Sequence, residues 1–474
     1  MENFDKTVPA AEVNYSFRSI LWEAISGTKR DLTAIPIGLA LFLLAVPMVL
    51  EMFMESLFAI VDIFFVSKLG ADSIAVVGLT ESLITLIYAV AIGLSIGATA
   101  TVARRIGEKN PDAAAKTAVQ ILYLGVIVSV VFGVAGAIFA QEFLRVMGAE
   151  ANVIAHVNFT RVLLGGSVSV VLIFLINGIF RGAGDASLAM RTLILANTLN
   201  IILNPCFIFG LWIFPELGVT GSAVATTIGR STGVIFALWM LFRKNGRFQI
   251  RAHHFTPDFA LIWHLVKLSS AAIFQVTVGM LSWIGLVRIM AGFGSEAIAG
   301  YVIGIRVILF ALLPSVGMSN AAATLVGQAL GAKKPERAEE AVWKAAFYNA
   351  IFLGIFGALF VIFAYPLVGL FDNREPAVLE YGANCLRIVA YGFILYAYGM
   401  VLETAFNGAG DTWTPTYINL FVFWLFEIPL AYVLAYHTGL QAYGVFWAIT
   451  IAFSVLAVIS GVLFKRGKWK LQTV

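Results

Sequence analysis

An all-α polytopic membrane protein, with twelve transmembrane helices in two pseudo-symmetric six-helix bundles, is the fold this sequence predicts. Three observations predict it. Of 474 residues, 60% are hydrophobic and 12% charged, with a mean hydropathy of +0.91. A soluble domain of that size needs more charge to wet its surface. Apolar stretches long enough to cross a bilayer recur twelve times along the chain. Several short motifs also reappear half a chain later, so the halves read as two copies of one unit.

Taken in order, residues 1–33 form a polar segment expected in the cytoplasm. MENFDKTVPAAEVNYSF is mixed in charge and is no signal peptide. From Tyr15 to Ile25 the apolar residues are spaced helically, as in a helix lying flat on the membrane interface. An N-lobe over 34–242 holds spans near 36–67, 72–103, 113–140, 152–180, 187–212 and 218–242. A polar cytoplasmic linker, 243–260, follows. A C-lobe over 261–464 holds spans near 261–292, 296–328, 338–365, 376–406, 415–436 and 440–464, before a tail of 465–474.

Basic residues orient the spans. With the N-tail, the loops after even-numbered spans and the C-tail inside, 23 of the 31 Lys and Arg fall inside. This count takes Arg181 and Arg191 as loop residues. The outer loops hold only Lys68, Arg145 and Arg374. Both termini are therefore expected in the cytoplasm, with the chain in the cell's inner (plasma) membrane. The net charge of +4 reflects this topology and is no nucleic-acid footprint. Arg161, Arg230, Arg288, Arg306 and Arg387 fall within spans, and the sequence does not assign them to acids. Cys206 and Cys385 sit in apolar segments and make neither a disulfide framework nor a metal site.

The repeat has a steady register. Leu69-Gly-Ala-Asp-Ser-Ile-Ala75 returns as Phe293-Gly-Ser-Glu-Ala-Ile-Ala299, displaced by 224 residues. Gly107-Glu-Lys-Asn-Pro-Asp112 returns as Gly331-Ala-Lys-Lys-Pro-Glu336 at the same displacement, and Arg181-Gly-Ala-Gly-Asp185 as Asn407-Gly-Ala-Gly-Asp411 at 226. Six spans per repeat insert both halves the same way up, with a pseudo-twofold axis along the membrane normal. Two such bundles around a shared cleft suit alternating access.

Within the first span, Glu51, Glu55 and Asp62 break an apolar run. Steps of four and eleven place the second and third acids about 40° and 20° from the first, along about 16 Å of helix. An acid at the centre of a spanning helix costs about 2.5–3.5 kcal/mol on insertion scales. The stripe should therefore face a bundle interior or a watery cavity, where a proton, a metal ion or a cationic ligand meets it. Its blander role is to hold helices together through arginine. The stripe belongs to one half only, since Gln275, Gly279 and Leu286 stand at the matching positions. The C-terminal half carries Glu403 and, beside Pro429, Glu427.

VDIFFVSKLGADSIA on the first span, RGAGD and NGAGD after the fourth and tenth, and VGQALGAKKPE after the eighth resemble the multidrug and toxic compound extrusion (MATE) family of the MOP flippase superfamily. The resemblance runs from about residue 36 to 464 and includes the duplication. It implies a V-shaped pair of six-helix bundles that exports organic cations and drugs in exchange for Na⁺ or H⁺. Asp62 occupies the position of the family's first-span coupling aspartate. One prokaryotic branch pairs it with Asn-x-x-x-Asp on the fifth span; here that stretch is Asn200-Ile-Ile-Leu-Asn204, so the second acid is replaced. Ser222, Thr226 and Thr227 offer hydroxyl partners on the sixth span. Another branch binds the cation with a seventh-span Glu, where Gln275 stands here. The coupling ion stays open between H⁺ and Na⁺. The implied coupling set is Asp62, Glu55, Glu51, Asn200, Asn204, Ser222 and Thr226. The implied cavity set is Glu51, Glu55, Asp62, Gln275, Glu403 and Glu427.

Other motifs are weaker. Gly93-Leu-Ser-Ile-Gly97 matches a hydrolase pattern but lacks the strand–turn context, and its glycines also make a helix-packing face. His156, His253, His254, His264 and His437 show no metal spacing. No catalytic constellation emerges, so the chain reads as a transporter and not an enzyme. It needs no cofactor, takes cationic or amphipathic drugs as partners within the lipid bilayer, and is expected to be a monomer. The rivals are a lipid-linked oligosaccharide flippase, which would prefer a basic cavity, and a membrane-embedded enzyme or receptor.

Overall fold

A computed structural model describes residues 16–243, 246–371 and 375–472. The sequence segment 1–15, with Tyr15, lies outside the described residues. The chain begins with a short helix, α1 (Phe17–Ser26), that leaves Phe17 and Trp22 exposed. The first half then runs through α2 (Ile37–Val66), α3 (Ala71–Gly107), α4 (Pro111–Val146), α5 (Ala151–Ile154), α6 (Val157–Gly165), α7 (Ser167–Ala183), α8 (Ala186–Phe209) and α9 (Val219–Phe242). The second half runs through α10 (Phe259–Met290), α11 (Ser295–Gly331), α12 (Pro335–Ile362), α13 (Ala364–Gly369), α14 (Pro376–Ala390), α15 (Phe393–Ala409), α16 (Trp413–Asn419), α17 (Ile428–His437) and α18 (Ala442–Lys465). Among the described residues eleven runs are long and apolar enough to cross a membrane, and α14 with α15 forms a twelfth, bent by 61°.

The helices follow the predicted spans to within a few residues, except where a span is broken. The fourth predicted span is α5, α6 and α7 in succession, interrupted near Gly165 and Gly166; the tenth breaks at Gly392. The eleventh contains a π-helical stretch, Leu420–Glu427, immediately before α17. Pro429 at the start of α17 cannot donate to a carbonyl one turn back, and the π register accommodates that gap.

The duplication is written into the backbone. Left-handed φ values recur at Gly70 and Gly294, Lys109 and Lys333, Gly184 and Gly410, and Gly218 and Gln441. The same turns therefore close the same helices in both halves.

Each half forms a lobe. In the first, α2 packs on α8, α3 on α7, and α8 on α9; in the second, α11 packs on α12, α14 and α15, and α15 on α18. The lobes meet where α2 packs on α11, α3 on α10, and α3 on α11. Glycines make that contact. An added Cβ on Gly93 would lie 2.5 Å from the backbone of Ile273, and one on Gly317 would lie 2.6 Å from the Met48 carbonyl oxygen. Gly107 lies against the Gln328 carbonyl and Gly331 against the Arg104 carbonyl. The Gly93–Gly97 motif is thus a packing face, as its apolar helical context implies.

All these contacts lie toward the end that carries the basic loops. Toward the opposite end Ile74 and Leu86 on α3 and Val302 and Phe310 on α11 are exposed, together with Glu81 and Arg306. The lobes therefore diverge as a V whose vertex is the basic end.

Two straps reinforce the vertex. The chain before α2 reaches α12 in the other lobe: Lys334 Nζ donates to the Thr33 carbonyl at 3.0 Å, and Arg337 donates to the carbonyls of Leu32 and Ile35. The chain before α10 reaches α4: Lys116 pairs with Asp258 at 2.6 Å, Tyr123 donates to the Phe255 carbonyl, and Gln120 donates to the His254 and Thr256 carbonyls.

Candidate functional site

The acidic stripe of α2 faces the interior of the first lobe, and each acid meets a different set of partners. Nearest the vertex, Glu51 is 1% exposed. Its Oε1 accepts from Arg181 Nη1 at 2.6 Å and from Asn177 Nδ2 at 3.3 Å, both on α7. Arg181 also donates to Ser95 on α3. The sequence counts Arg181 as a loop cation, which the structure corrects. Here α7 runs on to Ala183 and buries the guanidinium, because Gly182 lets the helix pack directly on the Thr99 carbonyl of α3. Glu51 is sealed in this pair and lines no open surface.

One turn on, Glu55 Oε1 accepts from Arg230 Nη2 at 3.1 Å, and the same nitrogen donates to Tyr88 Oη at 2.8 Å. The guanidinium lies over the Phe58 ring, 4.4 Å from its centroid. Arg230 Nε and Nη1 are buried without a hydrogen-bond partner among the described residues.

Farther toward the open end, Asp62 sits within hydrogen-bond reach of three neutral donors. Its Oδ1 accepts from Asn204 Nδ2 at 2.5 Å and Asn200 Nδ2 at 3.3 Å, and its Oδ2 from Thr226 Oγ1 at 3.1 Å. Asn200 Nδ2 also lies 3.0 Å from Thr226 Oγ1. Asn197 donates to the Met54 carbonyl at 2.6 Å and ties α8 to α2. Gly229 on α9, whose Cβ would lie 2.7 Å from the Ala196 carbonyl, brings α9 close enough for Thr226 to reach the asparagines. The Oδ1 atoms of Asn197, Asn200 and Asn204 are buried without hydrogen-bond partners among the described residues.

The remaining sequence-derived residues divide. Ser222 is buried and makes no hydrogen bond to Asp62. In the second lobe Glu403 Oε1 accepts from Gln275 Nε2 at 2.5 Å and Asn419 Nδ2 at 2.7 Å, with no cation beside it among the described residues. Glu427 ends the π-helical stretch, is 3% exposed, and has no hydrogen-bond or ion-pair partner among the described residues. Gln275 and Glu403 thus come together, whereas Glu427 stands apart from them. Sequence reasoning missed Asn177, Tyr88 and Asn419. Asn177 carried a signal, since it lies one helical turn before Arg181 on the same face.

The structure also gathers residues for which the sequence showed no metal spacing: the side chains of Asp112, His253 and His254 meet at the linker. His254 Nδ1 accepts the Arg251 backbone N–H at 2.9 Å, so Nε2 carries the ring proton and donates it to Asp112 at 2.9 Å. That proton occupies the position a metal would need, and the cluster is a clip holding the linker to α4.

A model of the MatE family matches residues 47–206 and 271–433. A probable multidrug resistance protein, YoeA, of Bacillus subtilis is 28% identical, covering 86% of this chain and 88% of its own. A probable multidrug resistance protein, NorM, of Thermotoga maritima is 26% identical, covering 88% and 90%. A solved structure of a multidrug resistance MATE family transporter of the MOP superfamily in its outward-facing conformation is 27% identical. It superposes with a TM-score of 0.87 over 94% of this chain and 98% of that one.

Proposed function

The chain belongs to the MatE family, and on that premise we propose that it is a secondary active exporter of organic cations and amphipathic drugs, driven by protons exchanged at Asp62. The observation that carries this reading is the Asp62 constellation. It is a carboxylate on the wall of a V-shaped fold whose near partners, Asn200, Asn204 and Thr226, are all neutral. The other two acids of the stripe are matched to arginines, which leaves Asp62 to change its charge. A group free to gain or lose a proton, facing helices that pack differently in two states, biases an alternating-access equilibrium by its differential affinity for the ion.

In this reading the basic end is cytoplasmic, both termini lie inside, and the V opens outward. Proton entry from outside neutralises Asp62, relaxes its three donors and repacks α2 against α8 and α9. Release inside resets the site. Glu51 and Glu55 act with their arginines as fixed supports of the wall. Substrate charge is met in the cleft, where Glu81 is exposed on α3.

Na⁺ coupling is a second reading, favoured by the orphaned Oδ1 atoms of Asn200 and Asn204. Rotated by half a turn, those amides present oxygens to a cation beside Asp62, as a hard cation requires. The test is dye export from proteoliposomes under imposed H⁺ and Na⁺ gradients, each alone, for wild type and Asp62→Asn. Export under the H⁺ gradient that vanishes in the variant is expected. Export driven by Na⁺ alone transfers the proposal to the second reading. No dye movement under either gradient favours a flippase for lipid-linked substrates.

A further inference from the structure

The two lobes finish differently at the vertex. In the first, the turn after α7 carries Asp185, and the chain's own N-terminal segment lies on it. Arg191 Nη2 donates to the carbonyls of Ile25 and Ser26 at 3.1 and 2.8 Å. A Cβ on Gly27 would lie 2.8 Å from Ser187 Oγ, and one on Gly184 would lie 2.8 Å from Leu32. In the second lobe the matching turn carries Asp411, and no described residue fills the space beside it. A groove of about 360 Å³ runs there between α15, α16 and α18.

Its walls are apolar and its mouth is cationic. Tyr417, Phe421, Ile459 and Leu463 form the walls, with Arg466 and Lys468 at one end. Asp411, the acid in the lining, is already engaged: Oδ1 accepts from the Thr414 backbone N–H at 3.2 Å and Oδ2 from its hydroxyl at 2.8 Å. Arg466 and Lys468, with neighbouring Lys465, make no side-chain hydrogen bond or ion pair among the described residues. Lys470 two residues on is paired with Glu339. The exposed rings of Trp413 and Tyr417 stack 5.6 Å apart beside the groove, as aromatic side chains do at headgroup level.

We propose that this groove holds an anionic glycerophospholipid from the leaflet at the basic end. Its phosphodiester lies between Arg466 and Lys468, and an acyl chain lies along Phe421, Ile459 and Leu463. Charge complementarity selects the occupant: unpaired cations at an apolar, membrane-level groove match an anionic headgroup with a hydrocarbon tail. In the first lobe the protein supplies its own filler; in the second the bilayer does.

The test is native mass spectrometry of the full chain from nanodiscs containing equal amounts of phosphatidylglycerol and phosphatidylcholine. Wild type is expected to retain one phosphatidylglycerol selectively. Arg466→Gln with Lys468→Gln is expected to weaken retention about 25-fold, at roughly fivefold per cation. Ile459→Trp keeps both cations but fills the groove, so it should also lose the lipid, whereas Lys465→Gln, outside the lining, should stay within about twofold. The Trp variant keeps the test decisive if the double variant misfolds. Equal retention of both lipids, or unchanged retention in the Trp variant, overturns the proposal. Displacement by millimolar inorganic phosphate does too, since it would mark a simple ion site.

Discussion

The lobes share one backbone and treat intramembrane acid in opposite ways. In the first, three acids on α2 meet two buried arginines and a ladder of asparagines, so charge is matched twice and left unmatched once, at Asp62. In the second, Glu403 is hydrogen-bonded only by amides and Glu427 has no hydrogen-bond or ion-pair partner among the described residues. Duplication preserves what the chain path requires, such as the left-handed turns at Gly184 and Gly410. It does not preserve which side chains face the interior. The lobe with arginines ion-pairs two of its acids and leaves the third, Asp62, among neutral donors.

That comparison breaks or sharpens under substitution. The largest effect is expected from Asp62→Asn, which should abolish gradient-driven export, set against Glu403→Gln, which should leave it within about threefold, equivalent to roughly 0.6 kcal/mol. Equal losses in the two variants would end the asymmetry between lobes. Next is Arg181→Met, which strands Glu51 in the interior and should cost about 3–5 kcal/mol. The double change with Glu51→Leu should recover most of that loss in thermal unfolding. A smaller effect is expected at the vertex. Gly317→Ala pushes a methyl group onto the α2 backbone and should cost about 1–3 kcal/mol. Spin-label distances should then report the basic ends of α2 and α11 moving apart.

The smallest effect is a pH response of the straps. The hydrogen bond from Lys116 and the backbone N–H of Leu261 hold the Asp258 carboxyl below its usual range. Burial pushes Asp31 up, but the Thr33 hydroxyl and amide outweigh it, so that carboxyl also lies low. A depressed carboxyl stabilises above its unfolded pKa, near 4, and loses that contribution as pH falls through the folded value. Nicking of residues 252–258 by an acid-active protease should therefore stay constant from neutrality to about pH 4 and rise below it.

The spans, their duplication and the inward face of the α2 stripe were legible because they rest on periodicity and composition. Hydropathy could not show the interruptions at Gly165–Gly166 and Gly392, since an apolar run averages across a bend. The pairing of Arg181 was hidden by its glycines. Arg181-Gly-Ala-Gly-Asp185 reads as a turn, yet only Gly184 serves the turn, while Gly182 serves close packing on α3. Asp62's partners at Asn200, Asn204 and Thr226 came from the family resemblance. Partners such as Tyr88 for Arg230 depend on which helices become neighbours, which no local pattern encodes.

The crossed straps impose an order on biogenesis. Leu32 is held by Arg337, 305 residues later in the chain, so the leading segment, which Arg191 and Arg247 already hold on the first lobe, stays unfastened to the second lobe until α12 is made. At roughly 5–20 residues per second, it waits about 15–60 s for its anchor to emerge. A ribosome that stalls in the second half therefore leaves a first lobe with its wall built and its strap to the second lobe unmade.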